Sequence, residues 1–255
     1  MMFEKAYQQL NFKPMHVTLK GLPASFENFN IAHLSDLHVK ASTPLDALTH
    51  LVNSLNALPL DMVALTGDLI DTHPQKIEAH LAILKQLKHP VYFVSGNHDL
   101  LFARQTLKQI IETLGFHMLD NRIVLLTKGN ATLQLIGFGD AFSKYFGIKR
   151  EEHELLKKLN PDYTTVLLAH QPKDFSLTKN SPITLQLSGH THGGQIYPFG
   201  YIVRLFQPFV QGLYQKDTRQ IYVTTGYGSW GVKMRFLVPS EIPLITLKRA
   251  DDAQH

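Results

Sequence analysis

Five short apolar runs, at residues 31–34, 62–66, 91–95, 165–169 and 183–187, each stop at a polar turn built from Asp, Asn, His, Ser and Gly. Runs of this kind bounded by turn residues read as buried strands. Segments of helical period separate the first three. Leu45, Leu48, Leu51, Val52, Leu55 and Leu58 recur over 44–58, and Ile77, Leu81, Leu84 and Leu87 over 74–88. A third helix is expected over 104–114, stopped by Gly115. Thr43 suits an N-cap and Pro44 the first helical position. Strand, polar turn and helix thus alternate three times, which restricts the N-terminal half to an α/β arrangement.

The pattern then changes. Residues 122–127 and 131–138 read as a hairpin across Gly129-Asn130, and 151–159 as a short helix with acids first and lysines last, the order a helix dipole favours. Further strands are expected at 17–19, 221–225 and 242–247. Alternating elements followed by hairpins imply an α/β (α+β) fold, with two mixed β-sheets packed face to face and helices outside. No repeat or linker divides the chain, and 255 residues suffice for one large core, so a single domain over 1–255 is expected.

The absence of Cys removes disulfides and thiolate metal sites, so any metal must take nitrogen and oxygen ligands. A net charge of +4 is spread along the chain, with pairs such as Lys149-Arg150 and Lys157-Lys158 but no longer run. That describes a solvated basic surface, and nucleic acid is not the expected partner. No stretch has the roughly 18 apolar residues of a membrane span, and the first residues lack the apolar core of a secretory signal. A soluble, cytoplasmic protein is the expectation.

The polar residues at the strand ends are Asp36 and His38, Asp68, Asn97 and His98, His170, then His190 and His192 within Ser188-Gly189-His190-Thr191-His192-Gly193-Gly194-Gln195. On an extended chain residues i and i+2 share a face, so His190 and His192 can present both rings to one point. Taken singly, an Asp or Asn after a strand is usually a turn residue and a lone His a packing residue. Eight such positions at successive strand ends point instead to one rim, where open α/β sheets bind ligands. By period-two counting His33 faces away from Asp36 and is read as structural. His16, His50, His73, His80, His89, His117, His153 and His255 are read as surface or packing residues. Asp140 is read as a loop residue, at most bordering the site.

Asp36-x-His38, Gly67-Asp68, Gly96-Asn97-His98-Asp99, His170 and Gly189-His190-x-His192 together resemble the five ordered motifs of the calcineurin-like metallophosphoesterases. That resemblance implies the αββα sandwich of the family and a metal-dependent phosphodiesterase. It also implies two divalent ions. Asp36, His38 and His192 would hold one, Asn97, His170 and His190 the other, and Asp68 would bridge. Two such ions about 3.5–4 Å apart can clamp a phosphate and activate a shared water. Oxygen and imidazole donors suit Mn, Fe or Zn rather than a soft metal and do not choose among them; Mn is taken as the first expectation, with Fe, Zn or Mg as alternatives. His98 would stay off the metals near the leaving oxygen, either donating a proton or stabilising charge, with Asp99 fixing its tautomer and orientation.

Gly226-Tyr227-Gly228-Ser229-Trp230-Gly231, Arg235-Phe236, Pro239 and His192-Gly193-Gly194-Gln195 resemble a bacterial branch of membrane-associated phosphodiesterases that includes a UDP-2,3-diacylglucosamine pyrophosphatase of lipid A synthesis. The resemblance extends the expected substrate to a lipid-linked phosphodiester or pyrophosphate, and the expected location to the inner face of the cytoplasmic membrane. The alternatives are a nuclease or nucleotide phosphodiesterase, and a non-catalytic interaction domain on the same fold. Residues 197–214 carry Tyr197, Phe199, Tyr201, Phe206, Phe209 and Tyr214 with Arg204 as the sole charge, broken by Pro198, Gly200, Pro208 and Gly212. This segment reads either as a loop packed on the sheets or as an apolar entrance that contacts a membrane.

Overall fold

The computed structural model describes residues 3–5, 7 and 9–250, so His255 lies outside the described residues. In chain order the elements are β1 (Phe3–Lys5), β2 (Phe12–Leu19), β3 (Asn30–Leu34), α1 (Leu45–Asn56), β4 (Met62–Thr66), α2 (Glu78–Leu84), β5 (Val91–Val94), α3 (Asn97–Ala103), α4 (Leu107–Thr113) and β6 (His117–Met118). They continue as β7 (Arg122–Lys128), β8 (Ala131–Phe138), α5 (Glu152–Lys157), β9 (Thr164–Ala169), β10 (Ile183–Ser188), α6 (Gly200–Val203), β11 (Gly212–Lys216), β12 (Arg219–Val223), β13 (Met234–Phe236) and β14 (Ile242–Arg249).

Two six-stranded mixed sheets carry the fold, ordered β2-β14-β3-β4-β5-β6 and β11-β12-β10-β9-β8-β7. In the first, β3, β4, β5 and β6 run parallel, while β14 is antiparallel to β3 and parallel to β2. In the second, β8, β9, β10 and β12 run parallel, and the edges are closed by antiparallel β7 and β11.

Period-two alternation divides each central strand between two cores. Met62 and Ala64 of β4 pack with Val166 and Leu168 of β9 and with Leu185 and Leu187 of β10 between the sheets. Val63 and Leu65, on the other face, pack against Leu48, Leu51, Val52 and Leu55 of α1. Leu167 and Ala169 of β9 turn outward to Leu155 of α5. The result is the expected layering of helices, sheet, sheet and helix. It also explains why these strands read as continuous apolar runs, since both faces are covered.

Several expected boundaries are corrected. The helix expected over 74–88 is a 3₁₀ turn at Pro74–Lys76 and then α2, because Ile77 at φ −130° breaks the helical path between them. The helix expected over 104–114 is α4, shortened to Leu107–Thr113, and a further helix, α3, which the sequence did not indicate, begins at Asn97, immediately after β5. Its start is closed by the Asp99 carboxylate accepting from the Gly96 amide at 2.9 Å. Within 197–214 the chain forms the single-turn α6 and then β11, which pairs with β12. Among the described residues no helix is long and apolar enough to cross a membrane.

Candidate metal centre

The strand ends that the sequence marks are brought to one rim shared by both sheets. Asp36 and His38 follow β3, Asp68 follows β4, Asn97 opens α3 after β5, His170 follows β9, and His190 and His192 follow β10. Five of these residues have left-handed backbones: Asp36 (φ 54°), His38 (45°), Asp68 (51°), His190 (69°) and His192 (49°). This conformation costs a non-glycine residue on the order of 1–3 kcal/mol, and it persists where the surroundings over-determine it, as at functional sites. Here it is fixed by the Asp36 and His38 amides donating to the Gly67 and Asp68 carbonyls at 3.0 and 2.9 Å.

Close approach of backbones is equally necessary. A Cβ at Gly189 would collide with the side chains of Ser35 and Asp36, and one at Gly96 with Asp68. Gly189 lets the two sheets meet at the rim, and Gly96 lets the turns after β4 and β5 of the first sheet approach each other.

The donor atoms form two connected groups. In the first, His38 Nε2 lies 3.0 Å from His192 Nε2 and 3.9 Å from Asp36 Oδ1, and His192 Nε2 lies 3.4 Å from that same oxygen. In the second, His170 Nε2 lies 3.3 Å from Asp68 Oδ2 and 3.2 Å from both Asn97 Oδ1 and His190 Nδ1. Asp68 Oδ2 also stands 3.6 Å from His38 Nε2, which puts it between the groups. A further donor group, His38 with Asp71 and His98, shares His38 with the first.

The donors suit a divalent cation. Burial pushes the His38 ring down to about 3 and His190 down to about 4, and burial with the Arg235 charge holds His192 well below the usual range. These rings are neutral and offer lone pairs. Two Nε2 atoms aimed at each other across 3.0 Å share at most one proton between two acceptors. A cation at their common point would use both lone pairs. His170 is the exception: burial opposes its charge, but Asp68 beside it outweighs burial and raises its affinity for a proton. The same contact holds the buried Asp68 carboxylate below its ordinary range. A cation would take the place of that proton.

His98 is half-buried beside the second group, and its amide donates to Asp68 Oδ1 at 2.8 Å. Its expected partner was Asp99, and the structure corrects this. Asp99 is buried and accepts from the Ile70 and Gly96 amides at 2.8 and 2.9 Å. Burial and the nearby Asp68 charge raise its proton affinity. The carboxylate that meets His98 is Asp71, with Oδ1 2.7 Å from Nδ1 and Oδ2 3.0 Å from Lys40 Nζ. Burial lowers the proton affinity of His98, but the Asp71 contact overcomes this and leaves it raised.

Other residues fall outside the rim or brace it. His33 is fully buried, with Nε2 2.9 Å from Thr66 Oγ1, in keeping with a structural role. His80 is also buried, with Nε2 2.8 Å from the Thr43 carbonyl oxygen. Asp140 accepts from Gln171 Nε2 at 2.9 Å on both oxygens, so it braces the turn that carries His170. Sequence reasoning missed Asp71, and it named Arg235 and Gln195 only within a family resemblance, with no role at the rim. The signal for Asp71 was its place three residues after Asp68 in Gly67-Asp68-Leu69-Ile70-Asp71. Buried Arg235 donates from Nη2 to the Thr225 carbonyl at 2.8 Å and to that of Gly228 at 2.5 Å, with His192 Nδ1 3.2 Å away.

A cavity of about 640 Å³ opens from the donor cluster, with His38, Asp68, Asn97, His98, His190 and His192 on one side and Ile196, Phe199, Val203, Phe206, Trp230 and Val232 on the other.

Comparison with known proteins agrees with this geometry. The family model described as calcineurin-like phosphoesterase matches residues 29–194. A metallophosphoesterase of Helicobacter pylori is 38% identical over 230 residues, covering 87% of this chain and 60% of its own. YkuE, a metallophosphoesterase of Bacillus subtilis, is 30% identical over 239 residues, with 89% and 82% covered. A transmembrane protein with metallophosphoesterase domain from Danio rerio is 31% identical over 248 residues, with 92% and 57% covered. The chain thus spans about 60% of the length of the Helicobacter relative. Among solved structures, the NAD nucleotidase of Haemophilus influenzae superposes with a TM-score of 0.54 at 17% identity, over 78% of this chain and 45% of that one, a likeness of fold. With all five motifs gathered at one rim and the family model matching through the last of them, this chain belongs to the calcineurin-like phosphoesterase family, and metal-dependent phosphoester hydrolysis is the chemistry that membership implies.

Proposed function

We propose that the chain acts as one metallophosphoesterase domain that hydrolyses a phosphodiester or pyrophosphate bond with two divalent ions. Asp36, His38 and His192 would hold one ion, Asn97, His170 and His190 the other, and Asp68 would bridge. The observation that carries this reading is the pair of donor groups joined through Asp68. Bound there, the ions would neutralise phosphate oxygens and activate a water. Mn is the first choice for a set of imidazole, carboxylate and amide donors, with Fe, Zn and Mg as alternatives.

The remaining steps belong to this chain's side chains. Asp71 accepts from His98 Nδ1 and fixes the ring, which turns Nε2 toward the cavity. A charged His98 then delivers its proton to the departing oxygen and stays as the neutral ring. Asp99 supports this indirectly, by closing the helix start that carries Asn97 and His98.

The substrate we infer is lipid-linked, such as UDP-2,3-diacylglucosamine, and residues 197–214 are the segment we assign to peripheral contact at the inner face of the cytoplasmic membrane. Support comes from the apolar wall facing the donor cluster. Relatives named as transmembrane proteins carry the same domain. A nuclease would need basic rather than apolar walls beside the metals. The segment divides in two. Phe206 is 77% exposed, whereas Phe209 packs with Phe175, Ile221 and Val223 in a small core. We therefore assign the entrance to the first part, 197–206, alone.

The test is hydrolysis by the Mn-reconstituted protein of bis-p-nitrophenyl phosphate, single-stranded DNA and a UDP-diacylglucosamine lipid in parallel. Turnover of the lipid above DNA is expected. Preference for DNA would replace the lipid reading with a nuclease, and inactivity on all three would remove the enzyme.

A further inference from the structure

Nine of the fifteen large hydrophobic side chains exposed among the described residues lie in two segments, 197–206 and 230–237, so exposure is concentrated on one face. Leu205 is 79% and Phe206 77% exposed in the first; Trp230 is 55% and Leu237 54% exposed in the second. An apolar patch of this kind marks an interaction surface. The second segment lies beyond the family match, which ends at residue 194.

The two segments are tied into one surface. Gln195 Nε2 donates to the Trp230 and Val232 carbonyls at 2.8 and 3.2 Å, and its Oε1 accepts from the Trp230 amide at 2.8 Å. The Tyr197 amide donates to the Phe236 carbonyl at 3.0 Å, and the Phe236 amide to that of Gln195 at 3.1 Å. Phe199 and Phe206 of the first segment and Trp230 and Val232 of the second line the same cavity as the donor residues.

Charge selects the occupant. From Gly189 to Ser240 the only acid is Asp217, against Arg204, Lys216, Arg219, Lys233 and Arg235. Asp217 pairs with Arg219 at 3.6 Å, and Arg219 and Arg235 are buried. The exposed charges within the two segments are therefore Arg204 and Lys233, both positive. Aromatic and aliphatic side chains flanked by Arg204 and Lys233, with no acidic residue within either segment, match the headgroup level of an anionic membrane.

We propose that residues 197–206 and 230–237 form one docking surface for an anionic lipid bilayer, with Trp230 and Phe206 inserted and the mouth of the cavity held against the membrane. This rests on the lipid-facing reading of the first segment given above and adds the second segment, the lipid charge and the orientation.

Trp230 is the sole tryptophan of the chain, so intrinsic fluorescence reports on the proposed contact directly. The full chain is mixed with vesicles of phosphatidylcholine alone or of phosphatidylcholine and phosphatidylglycerol in equal parts, then sedimented and its emission recorded. With phosphatidylglycerol we expect co-sedimentation, a blue shift and quenching by lipids brominated on the acyl chain. Arg204→Gln and Lys233→Gln should each weaken binding roughly five-fold, the effect of one cation near the surface. Both should hydrolyse a small soluble phosphodiester at the wild-type rate. Unchanged Trp230 emission with anionic vesicles overturns the proposal. So does equal binding to phosphatidylcholine alone, or a blue shift that follows protein concentration without vesicles, which would mark self-association.

Docking and substrate are separable. A protein that docks but leaves detergent-dispersed lipid phosphodiesters intact would retire the lipid substrate alone. One that cleaves them while Trp230 emission stays fixed would retire the docking surface alone.

Discussion

His98 and Asp71 stand 2.7 Å apart, Nδ1 to Oδ1, while the second oxygen of the same carboxylate takes Lys40 Nζ at 3.0 Å. The carboxylate is thus anchored on one side and orients the ring on the other. Asp71→Asn should keep the metal content and the KM of the wild type and lower kcat roughly ten- to hundred-fold, the usual cost of losing a group that orients a functional His. Measuring kcat, KM and bound metal together decides it. An unchanged kcat would mean that another group holds the ring.

His98→Ala should bind metal as the wild type does and lose about 10² to 10⁴ in rate, as for removal of an acid–base group. The loss should shrink as the leaving group becomes more acidic. Equal losses on p-nitrophenolate and simple alkoxide leaving groups would exclude His98 as proton donor.

Asp68→Ala should lose both ions, because Asp68 Oδ2 lies 3.6 Å from His38 Nε2 and 3.3 Å from His170 Nε2. Elemental analysis after reconstitution with Mn should find two ions per wild-type chain and fewer than one in the variant. A variant retaining two would show that the carboxylate is not shared.

His33 predicts an acid weakness away from the rim. Burial lowers its pKa from 6.5 to about 3. The unfolded chain therefore binds a proton below pH 6.5 that the folded chain refuses, so stability falls as pH drops from 6.5 toward 3. Between pH 8 and pH 5 this one ring should cost about 2 kcal/mol. His33→Gln keeps a donor for Thr66 and should lose that much less over the same interval in urea titrations. Equal slopes for variant and wild type would place the acid sensitivity elsewhere.

The strand ends were readable because both faces of β4, β9 and β10 are covered, which leaves uninterrupted apolar runs that stop sharply at the rim. The polar residues at those stops, which the structure gathers at one rim, were readable for the same reason. The partner of His98 was not. Sequence adjacency favoured Asp99, but on a helix the neighbouring residue points elsewhere, and Asp99 turns back to cap its own helix while Asp71 arrives from the loop after β4. The helix over 74–88 failed where Ile77 keeps the right spacing but not the helical φ. Within 197–214, apolar composition alone does not separate exposed Phe206 from Phe209 in its small core.

The seven candidate donors are divided between the sheets. Asp36, His38, Asp68 and Asn97 follow strands of the first, and His170, His190 and His192 follow strands of the second. Each donor group draws on both sheets, so neither half of the polypeptide owns a complete site. During synthesis, coordination must wait until β10 has emerged and closed against β4, late in the chain. Ions captured at that moment would act as rivets across the seam. Chelation should therefore loosen the two halves relative to each other before it unravels either one.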